Sequence, residues 1–423
     1  FFSEDPFIFQ NNFNDQMVVI IKQSPSKAML LLSHFVKATQ KLDNCWDLLD
    51  LMIKYSNQFL NIHLEDGKGH ETSRELISVL FYLCNNNEEY RNYRLQHCLN
   101  IFRKGIESDD YLTVALSYNS ISQFYSDPIT FEPSLLVKHL KNEITVKPCL
   151  SILMRLKHIP RNKELVLALL KAARKHEIAT FVLIRICWRY EGAQMLMTSS
   201  KSGETTQFKK SKHKTSSDDD NFDYDSGDDF DDSKTNYDLK WAGEELPHYR
   251  ETFKLFLSVF YHIEFRMALL MSESTSNLFN HIFLLKDSQY LNAFSSLLQS
   301  ISIDELTGND IDILSKRKVF TNFFNAANEL RDENSIKAAI EVVKYLSSVQ
   351  FEPEFATVFQ LIAEALVNPS YSKIAPKAVQ MFAAASEWQF ASKKLNVDKI
   401  VREKFLDDQK LARYTKKLLT NIE

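Results

Sequence analysis

Apolar residues recur three and four positions apart along most of the chain, the period of a helix with one buried face. The clearest stretch is Ser73 to Asp127. Leu76, Val79, Leu80 and Leu83 form a stripe that Asn85, Asn86 and Asn87 interrupt, because their side chains compete for backbone hydrogen bonds. Tyr90, Tyr93, Arg94, His97, Cys98, Ile101 and Phe102 mark a second helix, and Ser108, Asp109 and Asp110 supply a stop and a fresh N-cap. Leu112, Ala115, Leu116, Asn119, Ile121 and Phe124 carry a third, ended by Asp127 and Pro128.

The same grammar extends to both sides. Helices are predicted over Phe13 to Gln23 and Pro25 to Leu42, followed by one opened by Asp43 and carrying Trp46, Leu48, Leu49, Met52, Ile53, Tyr55, Phe59 and Leu60. Asn61 to Thr72 reads as a loop. Ser134 to His158 gives two short helices with Pro148 in the first turn of the second. Arg161 to His176 and Ile178 to Tyr190 form an apolar hairpin in which Leu165, Val166, Leu169 and Leu170 face Phe181, Leu183, Ile184 and Ile186. Later helices are predicted over His248 to Met271, Asn277 to Lys286, Gln289 to Ser302, Asp310 to Leu330, Glu333 to Val349, Glu354 to Val367, Ala378 to Trp388 and Asp398 to Asn421.

Short helices joined by polar turns bury their stripes by stacking on one another. The expected fold is therefore all-α, an armadillo/HEAT-like α-solenoid of irregular helical repeats, and the sequence shows no strict repeat of fixed length. Only 8 glycines and 10 prolines in 423 residues suit that class better than a β-sandwich, a barrel or a glycine-rich phosphate loop.

Residues 199–240 break the pattern, with two charge blocks of opposite sign and few aliphatics. That segment is expected to be a disordered insertion between an N-terminal helical half, 1–198, and a C-terminal half, 241–423. From Thr198 to Lys240 it holds 7 Lys or Arg and 11 Asp or Glu, which accounts for the whole net charge of −4 and leaves the helical body neutral. A neutral body argues against a partner that is nucleic acid.

Cys45, Cys84, Cys98, Cys149 and Cys187 are odd in number and lie in apolar helical patterns, so buried thiols in a reducing compartment are expected. No apolar run approaches the roughly eighteen residues that span a bilayer, so no membrane partner is expected, and the cytoplasm, with the nucleus as an alternative, is the expected location. Residue 1 is Phe, so the chain is expected to be a processed product or a piece of a longer one.

Candidate chemistry is sparse. Val18 to Lys22 has the look of a kinase ATP-lysine strand, yet no glycine-rich loop, HRD or DFG accompanies it, and GxSxG, GxxxxGK and HExxH are absent. No catalytic residue and no cofactor is assigned. His63, Glu65, Asp66, His70 and Glu71 gather in one loop without metal-ligand spacing, and no metal site is assigned there. Tyr90, Arg91, Tyr93 and Arg94 are the candidate interaction face, by cation-π or anion contacts, against the plainer reading of an amphipathic helix. Lys209, Lys210, Lys212 and Lys214, with His213, form a candidate nuclear-import cluster. Ser216, Ser217 and Ser226 precede Asp219, Asp220 and Asp229 by three residues, the spacing of acidophilic kinase sites, where phosphate would add about −1.5 to −2 charges each.

The run LFYLCNNNEEYRNYRLQHCLNIFRKGIESDDYLTVALSYNSISQFY resembles the armadillo-like helical region that follows the kinase domain in large tyrosine-kinase-like families of unicellular eukaryotes. VKPCLSILMRLKHIPRNKELVLALLKAARK and YRETFKLFLSVF are similar in style, and the resemblance spans most of residues 70–270. It implies an interaction module behind a kinase. The expected function is a non-catalytic intracellular scaffold binding protein segments; the alternatives are the regulatory tail of a protein kinase and a nuclear-transport adaptor. Trp46, Trp188, Trp241 and Trp388 are too scattered for the Trp and Asn ladder of such an adaptor.

Overall fold

The computed structural model describes residues 9–38, 46–60, 69–124, 130–199, 239–242, 245–348, 356–384 and 389–422. Among these the regular structure is wholly helical, twenty-four α-helices with short 3-10 turns and no strand. The chain falls into two compact units, Phe1–Met195 and Leu196–Glu423.

The first unit runs α1 (Phe9–Gln23), α2 (Pro25–Ala38), α3 (Trp46–Lys54), α4 (Ser56–Leu60), α5 (Gly69–Asn86), α6 (Glu88–Ile106), α7 (Tyr111–Phe124), α8 (Pro133–Leu140), α9 (Val146–Arg155), α10 (Lys163–Ala173) and α11 (Glu177–Cys187); α12 (Tyr190–Ser199) carries the boundary. Helices pack on their sequence neighbours and on helices two or three places further on. α2 lies on α5, α5 on α7, α7 on α9 and α9 on α11, while α8 lies on α10. Leu76, Leu80 and Leu83 of α5 are fully buried, as the stripe requires. Gly105 lets α6 close on α7, because a Cβ there would collide with the Ser117 hydroxyl.

Several boundaries differ from the pattern. α5 begins at Gly69 and runs through Asn85 and Asn86. The break falls at Asn87, whose side chain accepts the Tyr90 N–H at 2.8 Å and caps α6. Asp110 caps α7 as expected, accepting from the Thr113 N–H at 2.9 Å. The third predicted helix is cut at Tyr55 into α3 and α4.

The second unit runs α13 (Tyr249–Phe260), α14 (Ile263–Leu270), α15 (Glu273–Leu284), α16 (Ser288–Gln299), α17 (Gly308–Lys316), α18 (Val319–Leu330), α19 (Glu333–Ser348), α20 (Ala356–Val367), α21 (Ala375–Phe382), α22 (Gln389–Lys394), α23 (Val397–Lys404) and α24 (Ala412–Ile422). α13, α15, α18, α20 and α23 form one row of touching helices, and α16, α19, α21 and α24 form another. Edge-to-face phenylalanines fill the space between early members: Phe279 and Phe294 lie 5.0 Å apart, Phe283 and Phe323 5.4 Å.

Two long predicted helices are broken here without Pro or Gly. His248 to Met271 splits at Tyr261 and His262, where Arg266 turns back to donate to the Phe260 carbonyl at 3.1 Å and covers the Phe260 ring. Asp310 to Leu330 splits at Lys318, which takes a left-handed backbone with φ 62°. Of the predicted insertion, residues 200–238 lie outside the described residues. Leu239, near its C-terminal end, is buried, as is Trp241 at the start of the C-terminal half.

A correspondence between two helical pairs becomes legible once the helices are known. α15 and α16 correspond to α18 and α19 at an offset of 45 positions: Asn277 with Asn322, Phe279 with Phe324, Asn280 with Asn325, Leu285 with Leu330, Asp287 with Asp332 and Ala293 with Ala338. Lys286 and Arg331 occupy the same place in each turn, both left-handed, with φ 50° and 49°. Each is followed by an aspartate that caps the next helix. Each also reaches the following pair: Lys286 to Glu329 at 2.6 Å, Arg331 to Glu364 at 3.5 Å.

Candidate interaction surface

The four residues picked from α6 do not share a face. Tyr90 is buried, with its hydroxyl 3.9 Å from the Cys98 sulfur. Arg94 is engaged by Asp50 of α3 in a two-pronged ion pair at 2.6 and 2.7 Å. Arg91 lies 3.8 Å from Glu88 one turn back, and Tyr93 alone projects strongly, 66% exposed. The helical period places Tyr90 three positions from Tyr93, and the inner face takes one of them. Hydrogen bonding to Cys98 and then burial push the neighbouring Cys84 thiol far above its ordinary value.

A second polar group is wholly internal. The Tyr118 hydroxyl and His139 Nδ1 are 2.9 Å apart, their rings meet edge to face at 5.5 Å, and Cys149 adjoins the tyrosine. Tyrosine, histidine and cysteine together invite comparison with a nucleophile and its base, but the chemistry does not follow. All three are buried, burial pushes the Cys149 thiol up to about 12, and burial followed by Lys138 lowers His139 to about 4. At neutral pH both stay uncharged, without a cationic imidazole to stabilise a thiolate. His139 Nε2 has no hydrogen-bond partner among the described residues.

Charge is distributed unevenly in a way that whole-body arithmetic concealed. From Thr130 to Tyr190 there are 12 Lys or Arg against 4 Asp or Glu. Their turns form two edges of the first unit. On one, Lys138 meets Asp109 at 3.4 Å and Lys175 meets Glu143 at 3.6 Å, tying successive turns together. On the other, the end of α9 and the loop to α10 lie beside the turn between α11 and α12. Arg185 fastens them, donating to the carbonyls of Leu153, Met154 and Leu156 at 3.1, 2.5 and 2.5 Å. Arg161 adds an ion pair to Glu191 at 2.9 Å. Around these, Lys157, His158, Lys163 and Arg189 are exposed and have no acidic partner among the described residues. Met154, Trp188 and Tyr190 are exposed on the same edge.

Ser216, Ser217, Ser226, Lys209, Lys210, Lys212, His213 and Lys214 lie outside the described residues, as do His63, Glu65 and Asp66; His70 and Glu71 stand in the first turn of α5. Among the described residues no group of three or more His, Cys, Asp or Glu is placed to hold a metal ion, and no helix is long and apolar enough to cross a membrane. The chain matches no protein-family model and no curated protein sequence.

Proposed function

We propose that this chain is a non-catalytic scaffold that binds protein partners along the outer surface of stacked helical pairs, an irregular armadillo- or HEAT-like solenoid. The observation that carries the reading is the packing order. In both units helices touch partners two or three places further along the chain, an order that stacked helical pairs produce and that brings side chains from distant sequence positions together. A surface of that kind suits an extended partner, which gains from several modest contacts in series. The buried thiols of Cys84, Cys98, Cys149 and Cys187, none in a disulfide, support a reducing compartment, cytoplasm or nucleus. Lysine crosslinking of the tagged chain in its own cells, read by mass spectrometry, tests this. A recurrent protein crosslinked to exposed lysines such as Lys141, Lys157 or Lys163 is expected; crosslinks within the chain only would overturn the proposal.

A further inference from the structure

We infer that the edge of the first unit formed by residues 154–163 and 185–191 is a docking surface for an acidic peptide segment of a partner protein, one that carries aromatic or aliphatic anchors between its carboxylates. This rests on the scaffold reading and adds to it a place and a partner chemistry.

Charge is the first ground. These two stretches contain six Lys or Arg and one acid, Glu191. That acid is taken by Arg161, Arg185 is spent on the carbonyls that end α9, and Arg155 donates to the Ser122 carbonyl. Lys157, Lys163 and Arg189 therefore remain as exposed cations with no acid opposite them among the described residues, and unpaired like charges on two adjoining stretches favour an anionic partner. The second ground is the apolar element in their midst. Trp188 is 54% exposed, and Met154 and Tyr190 on the same two adjoining stretches are exposed as well. Trp, Tyr, Met and Arg are the residue types enriched where protein interfaces concentrate their affinity. Rigidity is the third. Arg185 and the Arg161–Glu191 pair bind both strips of chain to one another, so little ordering cost falls on the surface when a ligand arrives.

A nucleic acid fits less well. Three exposed Lys or Arg side chains confined to one edge do not make the extended basic track that a phosphate backbone follows. A peptide needs only a short anchor and a few carboxylates, which is what the edge is built to meet.

The test uses the full chain and fluorescence anisotropy. The probes are a labelled peptide of four Asp-Asp-Phe units, its Lys-Lys-Phe counterpart and an oligothymidine of the same length. Saturable binding of the acidic peptide is expected, weakened about tenfold or more by Trp188→Ala and by the combined Lys157→Glu, Lys163→Glu, Arg189→Glu variant. That charge-reversed variant is expected to gain affinity for the Lys-Lys-Phe peptide, which an unfolded chain would not do in a saturable way. Three results would overturn the inference: no binding of the acidic peptide, binding indifferent to these substitutions, or oligothymidine bound as tightly through the same residues. A chain that ignores the peptide yet crosslinks to a partner elsewhere would lose the edge and keep the scaffold.

Discussion

Acidification should unlock the first unit through one residue. His139 is fully buried in α8, its Nδ1 engaged with Tyr118, and its Nε2 has no hydrogen-bond partner among the described residues. A proton on the ring makes both nitrogens donors and places a charge where solvent cannot reach it. Burial, with Lys138 adding to it, lowers the imidazole from 6.5 to about 4. The unfolded chain therefore takes up a proton as pH falls through about 6.5, while the folded chain stays neutral until about 4. Stability is complete above that window and declines within it. The interval corresponds to about 3 kcal/mol, a sizeable share of the stability of an ordinary domain. Histidine-labelled protein read by NMR between pH 7.5 and 3.5 gives the midpoint directly. Hydrogen exchange in α8 and α9 over the same range should quicken relative to the second unit. A His139 midpoint near 6.5 would refute the reasoning.

Other expectations follow from single sites. Leu80→Ala on α5 removes a fully buried side chain and should cost about 2 to 5 kcal/mol, measured by urea unfolding. Gly105→Ala drives a methyl group into Ser117 between α6 and α7 and should destabilise by about 1 to 3 kcal/mol in the same assay. Lys286→Gly relieves a left-handed backbone at the loss of an exposed ion pair, and a gain of about 0.5 to 1 kcal/mol is expected. Cys84, Cys98, Cys149 and Cys187 should resist alkylation in the native chain and react fully in denaturant.

The helical class and most element positions were legible in the sequence, because an apolar stripe of period 3.6 leaves a mark wherever one face of a helix is buried. Asp110 announced its helix as a cap, and it accepts the expected backbone N–H. What stayed hidden depends on partners distant in the chain. The turn at Tyr261 and His262 is secured by Arg266, and nothing in a run of aromatic residues marks it as a stop. The 45-position correspondence was masked because the shared residues are few, and the left-handed position is filled by Lys286 and Arg331 where glycine would have flagged it. The candidate face on α6 failed to assemble because periodicity says that residues share a helix, while packing decides which of Tyr90 and Tyr93 turns inward. The basic edge was missed by averaging. A neutral total concealed twelve basic residues between Thr130 and Tyr190, and only the fold shows which of them are spent on carbonyls and carboxylates.

Hydrogen–deuterium exchange of the full chain with and without a partner recovered by crosslinking tests the scaffold most directly. Protection spread over exposed turns and outer helix faces of several consecutive helical pairs, with core helices such as α5 and α19 unchanged, is the predicted result. Protection confined to one enclosed pocket, or none at saturating partner, would contradict it.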